Sequence, residues 1–126
     1  MVIQQTLNKW HDFVKQGNVN DLQDILSKEV VFHSPVLHTP QKGKALTFMY
    51  LNAAYQVFKD TDFVYKKQVI ENNQAVLEFE TTINGTIING VDIIECDDMG
   101  LIIEFKVMIR PLQGLQKLQQ KMMEML

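Results

Sequence analysis

Asp92 is the residue of this chain whose position most directly predicts chemistry. It shares strand parity with Ile88, Ile94 and Cys96, so its carboxyl group is expected on an otherwise apolar face. An apolar setting disfavours the charged form and raises the pKa, which would make Asp92 an acid or a hydrogen-bond donor at neutral pH. The structural alternative is a bulge at Asn89-Gly90 that resets the register or supplies a local donor.

The histidines are the other candidates for proton transfer or metal binding. His38 lies in a loop with prolines on either side, where it could close over a pocket mouth and carry a proton, or simply face solvent. His33 has the opposite parity to Phe32 and Ser34, so we expect it on the outer side of a sheet, and we expect His11 to face water. Their spacing matches no metal site, and we expect neither a metal nor a cofactor.

Helical periodicity dominates the first half of the chain. Apolar residues recur at spacings of three and four from about Val2 to Gln16, which predicts an amphipathic helix that ends at Gly17. Asn18 can cap a shorter second helix, and a third helix covers about residues 45 to 58. Between the second and third helices, residues 30 to 34 are β-branched and aromatic and predict a strand.

From Asp62 onward the period of the apolar residues becomes two. This pattern predicts four antiparallel strands, separated by turns at Asn72-Asn73, at Asn84-Gly85 and over residues 97 to 100. The first of these strands places Phe63, Tyr65 and Val69 on one face. In the last strand, odd-numbered residues from Leu101 form an apolar inner face, whereas Ile102 and Met108 lie among charges on the outer face. A terminal helix follows Pro111, with an apolar stripe formed by Leu112, Leu115, Leu118 and Met122.

Composition bounds the class of protein. The chain has 126 residues, of which 46 % are hydrophobic, and we expect a single domain over residues 1–126. Its formal net charge is -3 and its basic residues are scattered, which argues against nucleic acid or an anionic membrane as partner. The N-terminus does not resemble a secretory signal, and one cysteine cannot form an intrachain disulfide, so we expect a cytoplasmic location.

Several short motifs follow one another along almost the whole chain. They are Trp10 in the first helix, the break at Gly17-Asn18, Asp21-Leu22, Phe32-His33-Ser34-Pro35, Gly43, the segments 90–94 (GVDII) and 98–102 (DMGLI), and 107–112 (VMIRPL). In this order they resemble the SnoaL-like branch of the nuclear transport factor 2-like superfamily. The resemblance implies an α+β, cystatin-like fold: a cone-shaped, strongly curved antiparallel sheet wrapped around three N-terminal helices, with a deep and mostly apolar pocket. Members commonly dimerise through the outer sheet face.

The resemblance also implies candidate site positions. Ketosteroid isomerases of this superfamily use a tyrosine on the first helix, a carboxylate base after the first strand, and a protonated aspartic acid on a late strand. Counted from Gly17, these positions fall on Trp10, Ser34 and Asp92, so only the last residue type is retained. Trp10 can donate one hydrogen bond or form an apolar wall, and Ser34 cannot act as a base by itself at neutral pH.

These observations lead to two functional hypotheses. In the first, a cytoplasmic homodimer binds an apolar or aromatic small molecule in a pocket lined by Trp10, Phe32, Ser34, Tyr50, Phe79 and Asp92. Acid-base chemistry of the isomerase, cyclase or dehydratase type would then involve Asp92 together with His38 or Tyr50. In the second, the chain is a non-catalytic dimeric interaction module that acts through its outer sheet face or its C-terminal helix.

Overall fold

A computed structural model describes residues 2–126. The helices are α1 (Val2–Gln16), α2 (Val19–Ile25), α3 (Lys44–Phe58) and α4 (Leu112–Met125). The strands are β1 (Leu26–His33), β2 (Gln41–Lys42), β3 (Val64–Glu71), β4 (Gln74–Ile83), β5 (Thr86–Cys96) and β6 (Ile102–Arg110). None of the helices within the described residues is long and apolar enough to cross a membrane.

The six strands form one curved, open sheet in the order β2-β1-β6-β5-β4-β3. Neighbouring strands are antiparallel except for β1 and β6, which run parallel. The main core lies between the inner face of this sheet and the helices, and α1 contributes Ile3, Leu7, Trp10 and Phe13 to it. The predicted α+β fold with a strongly curved sheet and helices on its inner side is therefore confirmed, with one parallel strand pair as an addition.

The predicted turn at Asn84-Gly85 is confirmed. These two residues have positive φ angles of 49° and 79°, and they join β4 to β5 with Ile83 directly opposite Thr86. Consecutive positive φ angles match the right-handed twist of the flanking strands, which is why asparagine and glycine are favoured here. The turn sets the register that places Asp92 opposite Leu77.

The bulge considered as an alternative at Asn89-Gly90 does not occur. Pairing of β5 with β4 and with β6 runs without a shift through both residues, and Gly90 lies directly opposite Phe79. A Cβ atom at Gly90 would collide with the ring of Phe79 and would come within 2.8 Å of the Met108 carbonyl oxygen. Gly90 is therefore required by the aromatic ring that crosses it and not by a change of strand register.

Register shifts occur instead in the β1–β6, β3–β4 and β5–β6 pairings, and the last two overturn sequence-based expectations. Between Glu95 and Cys96 the pairing with β6 shifts, and Ile102 becomes fully buried instead of facing outward. A second shift lies in β3 between Tyr65 and Lys67. Because of this shift, Tyr65 and Val69 do not share a face as the alternation predicted, and Val69 is 54 % exposed. Each shift of one residue moves the following side chains to the other side of the sheet.

The C-terminal helix α4 packs on its own chain. Leu118 is buried in a second cluster with Ile83 and Ile88, against which Met122 also packs. Gly114 approaches Ile88 so closely that a Cβ atom there would lie 2.9 Å from its Cγ1. The apolar stripe predicted after Pro111 is thus partly used within the domain, although Leu112 at its start remains exposed.

Replacing Gly90 with alanine should destabilise the protein. Overpacking of the Phe79 ring and of the Met108 carbonyl is expected to lower the free energy of unfolding by about 2 kcal/mol, measured by chemical denaturation. Ile87→Val, at an exposed position of the same strand, should leave the stability almost unchanged. If Gly90→Ala were as stable as the parent protein, the close contact between Gly90 and Phe79 would be wrong.

Candidate ligand-binding site

A chain of two hydrogen bonds crosses the inner side of the sheet. Trp10 Nε1 donates to Tyr65 Oη over 2.9 Å, and Tyr65 Oη donates to Asp92 Oδ2 over 2.5 Å. An indole N–H can only donate, so the Tyr65 oxygen must accept from it. The hydroxyl proton of Tyr65 is therefore directed at Asp92, and the polarity of the whole chain runs from Trp10 to Asp92.

Three separate elements bring these residues together. Trp10 lies on the buried face of α1, Tyr65 on β3 and Asp92 on β5. Asp92 follows the parity predicted for it, between buried Ile88 and Ile94, and it is only 5 % exposed. Tyr65 reaches the same face because of the register shift that follows it in β3.

Burial controls the protonation of this chain. It raises the pKa of Asp92 to about 7, against the opposing effect of the hydrogen bond from Tyr65. Burial, together with the neighbouring Asp92 carboxyl, raises the pKa of Tyr65 well above its usual value. Tyr65 is therefore neutral and a fixed donor at physiological pH, whereas Asp92 can change its protonation state near neutrality.

Of the atoms in the Trp10–Tyr65–Asp92 hydrogen-bond series, the second carboxyl oxygen of Asp92 is the one left without a partner among the described residues. Oδ2 accepts from Tyr65, but no group within residues 2–126 forms a hydrogen bond with Oδ1. Asp92 also belongs to the wall of a cavity. With Tyr65 already occupying Oδ2, the carboxyl group can offer a ligand one donor at Oδ1 when it is neutral, or one acceptor when it is ionised.

The cavity has a volume of about 420 Å³ and a mainly aromatic and aliphatic wall. Phe32 stacks on Tyr50 with ring centroids 5.5 Å apart, and Trp10 meets Phe105 edge-to-face at 5.0 Å. A second aromatic group extends from Phe58 through Phe63 to Phe79 and Tyr65. Such a wall, with a few polar groups, suits an apolar or flat organic molecule.

The structure gathers all six of the predicted pocket residues around this cavity. Its wall includes Trp10, Phe32, Ser34, Tyr50, Phe79 and Asp92. Ser34 Oγ accepts a hydrogen bond from the Val36 amide at 3.2 Å, the arrangement of a local turn after a strand.

The histidines lie elsewhere. His38 is not part of the cavity wall; it lines a more open depression that adjoins the cavity and shares Ser34, Val36 and Val107 with its wall. His33 Nε2 lies 3.3 Å from Glu104 Oε2, and His11 Nε2 lies 2.7 Å from Gln68 Oε1. Within residues 2–126, no three His, Cys, Asp or Glu side chains are grouped as metal ligands would be.

Tyr65 is the site residue that sequence reasoning missed. The alternation of Phe63 and Tyr65 with polar neighbours indicates a strand, but it does not show that Tyr65 meets Asp92. Counted back regularly from the turn at Asn72-Asn73, Tyr65 would face outward; it faces inward because the pairing shifts between Tyr65 and Lys67. One signal for this contact was available in the sequence: a buried aspartate requires a hydrogen-bond donor, and Tyr65 lies on a strand two positions away in the sheet.

Comparison with known proteins agrees with this fold. A family model described as SnoaL-like domain matches residues 7–105. A crystal structure of a steroid delta-isomerase from Pseudomonas aeruginosa is 34 % identical in sequence, with a TM-score of 0.92, and the match covers 98 % of this chain and 90 % of that one. Comparison with curated proteins gives no match.

Two further crystal structures are similar. A protein with a cystatin-like fold from Silicibacter pomeroyi is 26 % identical, with a TM-score of 0.86 and coverage of 94 % of this chain and 83 % of that one. A nuclear transport factor 2-like protein from Mesorhizobium loti is 15 % identical, with a TM-score of 0.78 and coverage of 87 % and 92 %, and shows the fold alone. With its curved sheet and a family match over most of its length, the chain belongs to the SnoaL-like domain family.

Proposed function

We propose that this protein binds a small, mainly apolar organic molecule in the aromatic cavity and holds one polar atom of that molecule at Asp92 Oδ1. The observation that carries the proposal is a buried carboxyl group that faces the cavity with one oxygen occupied and the other free. Within residues 2–126, the fully enclosed side-chain polar atom without a partner is Thr47 Oγ1. Asp92 Oδ1 instead keeps access to the cavity, where a ligand oxygen or nitrogen would form a hydrogen bond with it.

Acid-base chemistry at this site would rest on Asp92. A neutral Asp92 could protonate or hydrogen-bond a carbonyl or hydroxyl oxygen of the ligand, and its ionised form could accept a proton. Similarity to a steroid delta-isomerase supports a ligand with such an oxygen. However, the Trp10 N–H is used by Tyr65 and the Tyr65 hydroxyl by Asp92, so neither offers a second donor to the ligand. Ser34 and Tyr50 are two further polar side chains of the same cavity wall, which also includes Tyr55, Thr61, Gln119 and two lysines.

The proposal is tested first by native mass spectrometry of gently purified protein, followed by denaturing extraction. A small organic molecule that travels with the folded protein supports it and identifies the chemical class. If the protein is empty and neutral aromatic probes fail to bind, ligand binding in the cavity is contradicted.

Asp92→Asn should weaken binding of the extracted molecule about tenfold, a loss typical of one hydrogen bond to a charged or strongly polar group. The amide keeps the size of the side chain and can still accept from Tyr65, so folding should be retained. Isothermal titration calorimetry measures the change, with Asp12→Asn on the exposed side of α1 as the control. If the two variants bound the molecule with equal affinity, the proposed contact between the ligand and Asp92 would be wrong.

The stability of the protein should depend on the protonation of Asp92. Burial raises its pKa from 3.8 to about 7, so the folded state holds a proton that the unfolded state releases between these values. Stability contributed by the bound proton is present at low pH and is lost as the pH rises toward about 7. Asp92→Asn lacks this titration, so its stability relative to the parent should increase by about 3 kcal/mol from about pH 5 to about pH 8.

Chemical denaturation at the two pH values measures this difference, and the infrared carbonyl band of a protonated carboxyl group gives an independent titration. A pH-independent difference between parent and variant would mean that Asp92 titrates normally.

We also propose that the protein is a cytoplasmic homodimer that associates through the outer sheet face. Val69 pairs with Val76, Val76 pairs with Ile93, and in the next row Val91 pairs with Met108. These side chains form a continuous apolar surface, and Met108 is 51 % exposed. Lys106 and Glu78 lie at its margin and offer opposite charges to a second copy.

Val76→Glu should weaken the dimer at least about tenfold, because it places a charge in the middle of the apolar surface. Sedimentation velocity measures the change, and the circular dichroism spectrum should remain that of the folded protein. Val19→Glu on α2 is the matched control at an exposed apolar position. An unchanged sedimentation coefficient for a dimeric Val76→Glu protein would place the interface elsewhere.

A further inference from the structure

The charged residues of the cavity wall are unevenly distributed. Three lining residues have ionisable acidic or basic side chains: Asp92 is buried, whereas Lys15 and Lys59 are exposed. The cavity wall therefore includes two cations and no exposed acidic side chain, although the chain as a whole has a net charge of -3. Within the described part of the chain, neither lysine has an acidic partner within 4.0 Å.

Both lysines lie away from the polar chain that ends at Asp92. On α1, Lys15 follows Trp10 by five residues, which is about 7.5 Å along a helix axis, and it belongs to the last turn. On the other side, Lys59 directly follows α3 as its C-cap, and the polypeptide then passes through Thr61 and Phe63 before it reaches Tyr65. The cavity wall therefore has a buried, hydrogen-bonding end at Asp92 and an exposed, basic end at Lys15 and Lys59.

A lysine at a helix C-terminus also has a structural explanation. It interacts favourably with the partial negative charge of the helix end, and both Lys15 and Lys59 occupy such positions. This explanation requires no ligand. It does not require either side chain to border the cavity, however. The exposed part of the wall at Lys15 and Lys59 is called the mouth. The acidic residues Asp12 and Asp60, near these lysines in sequence, are not part of the wall.

We propose that the ligand is an anionic amphiphile. Its apolar ring or chain lies among the aromatic residues of the cavity, a polar atom near one end meets Asp92, and a carboxylate or similar anionic group at the other end lies between Lys15 and Lys59. The proposal rests on the function proposed above and adds the charge and the orientation of the molecule. Exposed lysines retain their hydration, so the mouth selects for an anion and adds modest affinity, while the buried apolar body supplies most of it.

Two fluorescent probes that share one aromatic body test the proposal. Anilinonaphthalenesulfonate carries an anionic group, and phenylnaphthylamine is its neutral counterpart. Variants with Lys15→Gln and Lys59→Gln together are compared with the parent and with Lys28→Gln plus Lys42→Gln, which removes the same charge at exposed positions outside the cavity wall. Ala54→Trp fills the cavity and should abolish binding of both probes if they bind inside it.

The double variant at the mouth should bind the anionic probe about fivefold more weakly than the parent, as expected for the loss of exposed charge pairs. Its affinity for the neutral probe should stay unchanged, and the control pair should bind both probes like the parent. The preference for the anionic probe should also shrink at high salt.

The outcomes distinguish this proposal from the one on which it rests. If both probes bind inside the cavity and the double variant at the mouth binds them as the parent does, the anionic ligand is contradicted, while ligand binding stands. If neither probe binds and the purified protein carries no small molecule, the proposed function fails and this inference fails with it.

Discussion

A carboxyl group enclosed on the inner face of a curved sheet is the constraint on which this structure depends. Such a group must be neutral or hydrogen-bonded, because the interior cannot replace the water around a bare charge. Asp92 meets both conditions in part: burial raises its pKa to about 7, and Tyr65 donates to one of its oxygens. Tyr65 is in turn held by Trp10 from α1. The helix, the sheet edge and a central strand are thereby joined at one point.

The cavity around Asp92 persists because its aromatic walls support one another. Phe79 crosses Gly90 and packs on Phe63, which packs on Phe58 from α3. A larger residue at Gly90 would push Phe79 toward the space that a ligand needs. In this way a residue with no side chain in the middle of β5 preserves the volume beside Asp92, two positions further along the same strand. Gly90 and Asp92, close together on one strand, therefore contribute to the shape and to the polarity of the site respectively.

Much of the fold could be predicted from sequence because its signals are local. Apolar spacing identified the helices, alternation identified the strands of the second half, and Asn84-Gly85 identified a hairpin whose register the structure reproduces. The length of β1 was underestimated, since it begins at Leu26 directly after α2, and the short strand β2 lay within a stretch expected to be a loop. Both depend on pairing with β6 or β1, and pairing between distant segments leaves little trace in local spacing.

For the candidate site, the sequence by itself determined that Asp92 would lie on an apolar strand face, and that Trp10, Phe32 and Phe79 would belong to the apolar interior. Only the tertiary structure decided which residue hydrogen-bonds Asp92. Regular alternation would have turned Tyr65 outward, and a shift of one residue in β3 turns it inward. The physical reason is that side chains alternate across a sheet, so a single unpaired residue reverses the facing of every residue beyond it, and its position is set by the partner strand.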